Sequence, residues 1–156
     1  MRARSWVRAG LIFFGVGDVL LGAFAYLLPH HFYNDVPTVA MDPPFSQHFV
    51  TDVGAFYVSQ GVVLVLAAIV MELWLVRAAL AGYVTFAILH LVFHVTHLAG
   101  MPPHDAFMLV AALALDAAIP LTLLIMAGSR AGAGAPVEVE YGSSGSPRRS
   151  HGQTVE

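Results

Sequence analysis

Four apolar stretches, each long enough to cross a bilayer as a helix, constrain this chain more than any other feature. They run over residues 7–28, 49–71, 78–98 and 106–127, separated by short polar segments. A hydrocarbon core about 30 Å thick needs about 20 mostly apolar residues per helix, so each stretch suffices for one crossing. Of the 156 residues, 58% are hydrophobic and 11% charged, a balance that a water-soluble domain of this size cannot bury. The expected fold is therefore all-α: a transmembrane four-helix bundle over residues 1–128, multi-pass in the inner (plasma) membrane, with the lipid bilayer as its first partner. Residues 129–156 are rich in Gly, Ser, Pro, Arg and Glu and are expected to form a disordered cytoplasmic tail.

The boundaries follow from local breakers. The first stretch stops at Pro29, and the segment to Gln47 contains Pro37, Pro43 and Pro44, which predict an irregular, interfacial connection with Phe32, Tyr33 and Phe45. A basic start followed by an apolar run also describes a signal peptide, with Ala23-Phe24-Ala25 as a small-x-small site. The length of the run, Asp18 at its centre and the three further spans favour a retained helix. One helix over residues 49–98 would be about 75 Å long, more than twice the bilayer core, so a turn is expected near Trp74 although no Gly or Pro marks it. Gly100, Pro102 and Pro103 end the third stretch.

Orientation is read from arginine. All seven basic residues are Arg: Arg2, Arg4 and Arg8 before the first span, Arg77 between the second and third, and Arg130, Arg148 and Arg149 after the fourth. Positive charge concentrates on the cytoplasmic side of short loops, and four spans with both termini cytoplasmic place every arginine there. The net charge of −3 offers no basic face, so nucleic acid is not an expected partner. Cysteine is absent, which removes disulfides and thiolate metal centres and leaves imidazole and carboxylate as the strong metal ligands.

Each span carries ionisable residues that lipid alone would not tolerate: Asp18, Asp52, Asp116, and His90 with His94 and His97. A charged residue at the bilayer centre costs about 2.5–3.5 kcal/mol on insertion scales, so such residues face the bundle interior. Counting 1.5 Å per residue puts Asp18 and Asp116 at the midplane with His90 nearby, and Asp52 and His94 roughly 10 Å outward. His48 and His97 fall near the outer interface. The expected polar cluster is Asp18, Asp52, His90, His94 and Asp116, with Asp18–His90 and Asp52–His94 as its natural pairs, opening toward the outer leaflet. His30, His31, His104 and His151 lie in loops or the tail and are expected to be solvated. Small residues share the same stripes, Gly15 and Gly22 around Asp18 and Ala112 near Asp116, while Gly54 and Gly61 are seven apart on the second helix. Small residues let membrane helices approach closely.

Three functions fit such a cluster. Polar residues in membrane bundles often serve only as interhelical glue, worth about 0.6 kcal/mol per bond, which describes a structural or accessory membrane subunit, alone, as a homodimer or with a membrane-complex partner. Imidazoles at i, i+4 also reach one ion, so His48, Asp52, His90, His94 and His97 form a candidate ligand set for a transition metal (zinc, copper or iron), as in a metal- or quinone-dependent oxidoreductase. The same groups suit proton passage in a proton-coupled small-molecule carrier. No glycine-rich phosphate loop, Gly-x-Ser-x-Gly elbow or lipidation signal occurs. The accessory function ranks first, because no recognisable catalytic set is present.

Asp-Val-Gly-Ala-Phe-Tyr (52–57) and His-Leu-Val-Phe-His-Val-Thr-His (90–97), with the four-span architecture, give a likeness over roughly residues 7–127. The chain resembles small four-helix membrane proteins of actinobacteria in the neighbourhood of the DoxX-like families. Some DoxX-like proteins are linked to quinone-dependent thiol or sulfur oxidation. That resemblance implies a membrane bundle and carries no site residue onto this sequence.

Overall fold

The computed structural model describes residues 2–41 and 44–128; the segment expected to be a tail, with Arg130, Arg148 and Arg149, lies outside the described residues. Within them the chain is all-α. It has five α-helices, α1 (Arg2–Leu27), α2 (Pro29–Asp35), α3 (Gln47–Val70), α4 (Leu73–Thr96) and α5 (Pro103–Gly128), and a 3-10 turn over Val39–Met41. Four of them, α1, α3, α4 and α5, are long and apolar enough to cross a membrane.

The connections differ from expectation in two places. The segment after Pro29 is not wholly irregular. Leu28 leaves the helical region at φ −131°, and Pro29 then starts α2 at its first position, where a missing N–H costs nothing. The turn between the second and third spans lies at Met71–Glu72 rather than near Trp74, which falls inside α4. Met71 adopts the left-handed conformation (φ 55°, ψ 27°) usually given to Gly, and its N–H caps α3 on the Ala67 carbonyl at 2.8 Å. Such a conformation costs an L-residue about 1–2 kcal/mol. The Met71 side chain offsets it by packing against the core.

Packing explains why these helices stay together. The most extensive contact is between α1 and α3, followed by α4 with α5; α3 with α4 and α1 with α5 touch less. α1 and α3 run antiparallel in glycine register. A Cβ on Gly22 would meet the Gly54 carbonyl at 2.6 Å, and one on Gly61 would meet the Gly15 carbonyl at 2.5 Å. The two heptad-spaced glycine pairs therefore let backbone touch backbone, the closest approach that two helices achieve. One apolar cluster, with Leu11, Phe14, Leu64, Leu80 and Leu123, joins all four long helices, and a smaller one, with Ala25, Phe32 and Val50, seats α2.

Outside, the helices are coated with exposed apolar side chains, including Phe13 at 73%, Leu89 at 64% and Ile125 at 63%. Soluble monomers rarely expose apolar patches beyond a few hundred Å². Hydroxyls on the long helices turn back onto their own carbonyls: Ser59 to Phe56, Thr85 to Ala81, Thr96 to Val92 and Thr122 to Ala118, all within 2.9 Å. Apolar surroundings demand that internal satisfaction.

Candidate polar centre

Between the two apolar clusters lies a polar layer to which each long helix contributes near its middle. Asp18 of α1 is the only buried charged side chain among the described residues, 5% exposed. Its Oδ2 accepts from Gln60 Nε2 of α3 at 3.1 Å. Across the layer, the Tyr83 hydroxyl of α4 donates to Asp116 Oδ1 of α5 at 2.5 Å. The two carboxyl groups interact electrostatically with each other, and the Tyr57 hydroxyl lies within range of both.

The sequence positions these groups by helical periodicity. Asp18 sits midway between Gly15 and Gly22, and Gln60 precedes Gly61, so the glycine contacts that bring α1 onto α3 also bring carboxyl to amide. Phe14, one turn from Asp18, packs edge-on to Tyr83 at 5.2 Å and aims its hydroxyl across the layer. Pro120 is buried inside α5, four residues after Asp116. It removes the N–H that would have bonded the Asp116 carbonyl, and so adds a backbone acceptor at the level of the carboxyl. Among the described residues no buried side-chain nitrogen or oxygen lacks a hydrogen-bond partner.

The expected cluster is thus partly redistributed. Asp18 and Asp116 belong to one layer, with Gln60 and Tyr83 in place of histidine. Asp18 bonds to Gln60 rather than His90, which is stacked on Phe86 with ring centroids 5.4 Å apart. Asp52 bonds to His48 on its own helix at 3.4 Å, both side chains largely exposed, rather than to His94. The α3 surface carrying His48 and Asp52 faces away from α1, because Gly54 and Gly61 turn the opposite face inward. His90 and His94 form a ring pair with centroids 4.6 Å apart. His97 caps the end of α4, stacks on Phe93 at 4.2 Å, and bonds through Nδ1 to the Phe93 carbonyl at 2.8 Å.

The five-residue metal set of His48, Asp52, His90, His94 and His97 therefore does not converge, and among the described residues no three His, Asp or Glu side chains group as metal ligands. Of the histidines expected in solvent, His30 stacks on Phe45 at 4.1 Å and His31 pairs with Asp35 at 3.3 Å. Gln60 is the member of the centre that attention to ionisable groups misses. Its signal is present in the sequence, the one side-chain amide of the second apolar stretch, beside a glycine.

The helix ends are chemically distinct. Arg4, Met71, Leu73 and Met126 line one depression, which places the ends of all four long helices together, and there Arg77 Nη2 donates to the Gly128 carbonyl at 3.0 Å. Trp6 and Trp74 are exposed near the same end. The opposite end carries His48, His94, His97 and α2 with its two histidines. No protein-family model, curated protein or solved structure matches the chain.

Proposed function

We propose that the chain is an integral protein of the plasma membrane, a transmembrane four-helix bundle with both termini cytoplasmic, acting as a structural or accessory membrane subunit. Arg4 and Arg77 at one end, beside two exposed tryptophans, support the orientation, since cytoplasmic loops gather positive charge and tryptophan collects at the interface. The likeness to DoxX-like membrane proteins, and association with a second copy or another membrane subunit, belong to the same proposal.

One observation carries the accessory role: the polar centre is closed upon itself. Gln60 donates to Asp18, Tyr83 donates to Asp116, and among the described residues no buried side-chain nitrogen or oxygen is left without a partner. Interhelical bonds of this kind contribute about 0.6 kcal/mol each on average, which is modest for stability. Their use is specificity. A helix rotated or slid by one residue strands a carboxyl in an apolar layer, so the polar layer selects one register among packings of similar apolar area.

Purified protein reconstituted into vesicles loaded with a pH-sensitive dye tests this function. The expected result is no protein-dependent proton flux, together with coupling between positions 83 and 116 in a stability double-mutant cycle built from Tyr83→Phe and Asp116→Asn. Proton or solute flux that disappears in Asp116→Asn would establish a carrier and overturn the accessory role.

A further inference from the structure

At the end opposite the arginines, an open depression of about 410 Å³ is lined by Met41, His97, Ala99, Gly100, Met101 and Pro102. We propose that Met41, Met101 and His97 in this depression bind a monovalent copper ion through two thioether sulfurs and one imidazole nitrogen.

The donor chemistry selects the metal. Thioether sulfur is soft and uncharged, and soft sulfur ligands select Cu(I), whereas zinc centres use thiolate, imidazole and carboxylate, and magnesium and calcium need oxygen. Among the described residues lining the depression, the side-chain donors are two thioethers and one imidazole, a softer set than the carboxylates that hold hard divalent cations. With no cysteine in the chain, methionine is the sole sulfur source. Two neutral sulfurs and a neutral imidazole suit a singly charged ion.

His97 is set up as a ligand by its own helix. The Phe93 carbonyl, 2.8 Å from Nδ1, can only accept, so Nδ1 carries a hydrogen and Nε2 is the ring nitrogen available to a metal. Metal-binding histidines are oriented in this way by a second partner on the far ring nitrogen. Stacking on Phe93 fixes the ring plane as well.

The backbone around both methionines is also defined. Met41 closes the 3-10 turn, with its N–H on the Thr38 carbonyl at 3.0 Å. Met101 follows Gly100, whose φ of +87° favours glycine, and bonds back to the Leu98 carbonyl at 3.2 Å. Thioether side chains are flexible and adapt to irregular sites, so the two methionines supply the adjustable part of the ligand set. The site lies away from the central layer and does not depend on the accessory role.

The test uses the full-length protein in detergent, anaerobically, titrated with Cu(I) in competition with bicinchoninate and followed by X-ray absorption at the copper edge. The expected result is one equivalent retained, with sulfur and nitrogen neighbours. Met41→Leu and Met101→Leu, which conserve side-chain volume, should each weaken binding at least about tenfold, the loss that removal of even an outer-shell partner can cause. His97→Ala should do the same, while His90→Ala and His48→Ala leave binding unchanged. No retention against bicinchoninate would overturn the proposal. So would binding indifferent to both leucine variants, or binding that falls instead with His90 or His48, the mark of adventitious copper on surface imidazoles.

Discussion

Replacing Gly61 by alanine should destabilise the protein out of proportion to the single methyl added. Its Cβ would stand 2.5 Å from the Gly15 carbonyl, 2.8 Å from the Val19 nitrogen and 2.9 Å from Asp18 Cβ, all on α1. Two of these are backbone atoms, so no change of rotamer relieves the clash and α1 itself must move. Restoring an ordinary contact of 3.4 Å needs a displacement of about 0.9 Å. The same movement stretches the 3.1 Å bond from Gln60 to Asp18 beyond hydrogen-bond range. Overpacking costs about 1–3 kcal/mol and a buried group left without its partner about 1–3 kcal/mol, against about 1 kcal/mol gained from alanine's helix propensity, for a net loss of roughly 3 kcal/mol. Gly82 is the control, since a Cβ there meets nothing within 4 Å and Gly82→Ala should gain up to about 1 kcal/mol. Unfolding of both variants in mixed micelles of increasing dodecyl sulfate content, followed by circular dichroism, measures the difference. Equal stability of the two variants would refute the close approach of α1 and α3.

Two further outcomes are expected. Arg77→Gln should lower stability by about 1–2 kcal/mol in the same assay, because the guanidinium that bonds the last carbonyl of α5 also offsets the negative end of its helix dipole; an unchanged midpoint would show that the contact contributes nothing. A single cysteine at Thr38 should react with an impermeant thiol reagent in intact cells and one at Ser144 should not, and the opposite pattern would invert the proposed orientation.

Four long apolar helices were legible in the sequence because hydrophobic length is a local property: a run of about 20 apolar residues has few other stable states, whatever packs beside it. The polar residues were legible for a similar reason, since Asp18 and Asp116 are conspicuous against their neighbours. Helical spacing also showed that Gly15 and Gly22 share a face with Asp18. The turn at Met71–Glu72 was displaced because a left-handed methionine leaves no compositional trace; its stabilisation comes from a side chain packed on other helices. Partner choice was hidden more deeply. A carboxyl is satisfied by any donor in reach, and which donor is in reach depends on the rotation and sliding of the facing helix, which periodicity along one helix does not specify. Contact of Gly15 with Gly61 and of Gly22 with Gly54 sets both for α1 and α3, and it gives Asp18 to Gln60 and turns Asp52 outward beside His48. The elements and their polar content thus belong to the sequence, and the pairing belongs to the tertiary structure, because the packing of α1 on α3 and of α4 on α5 decides which side chains meet.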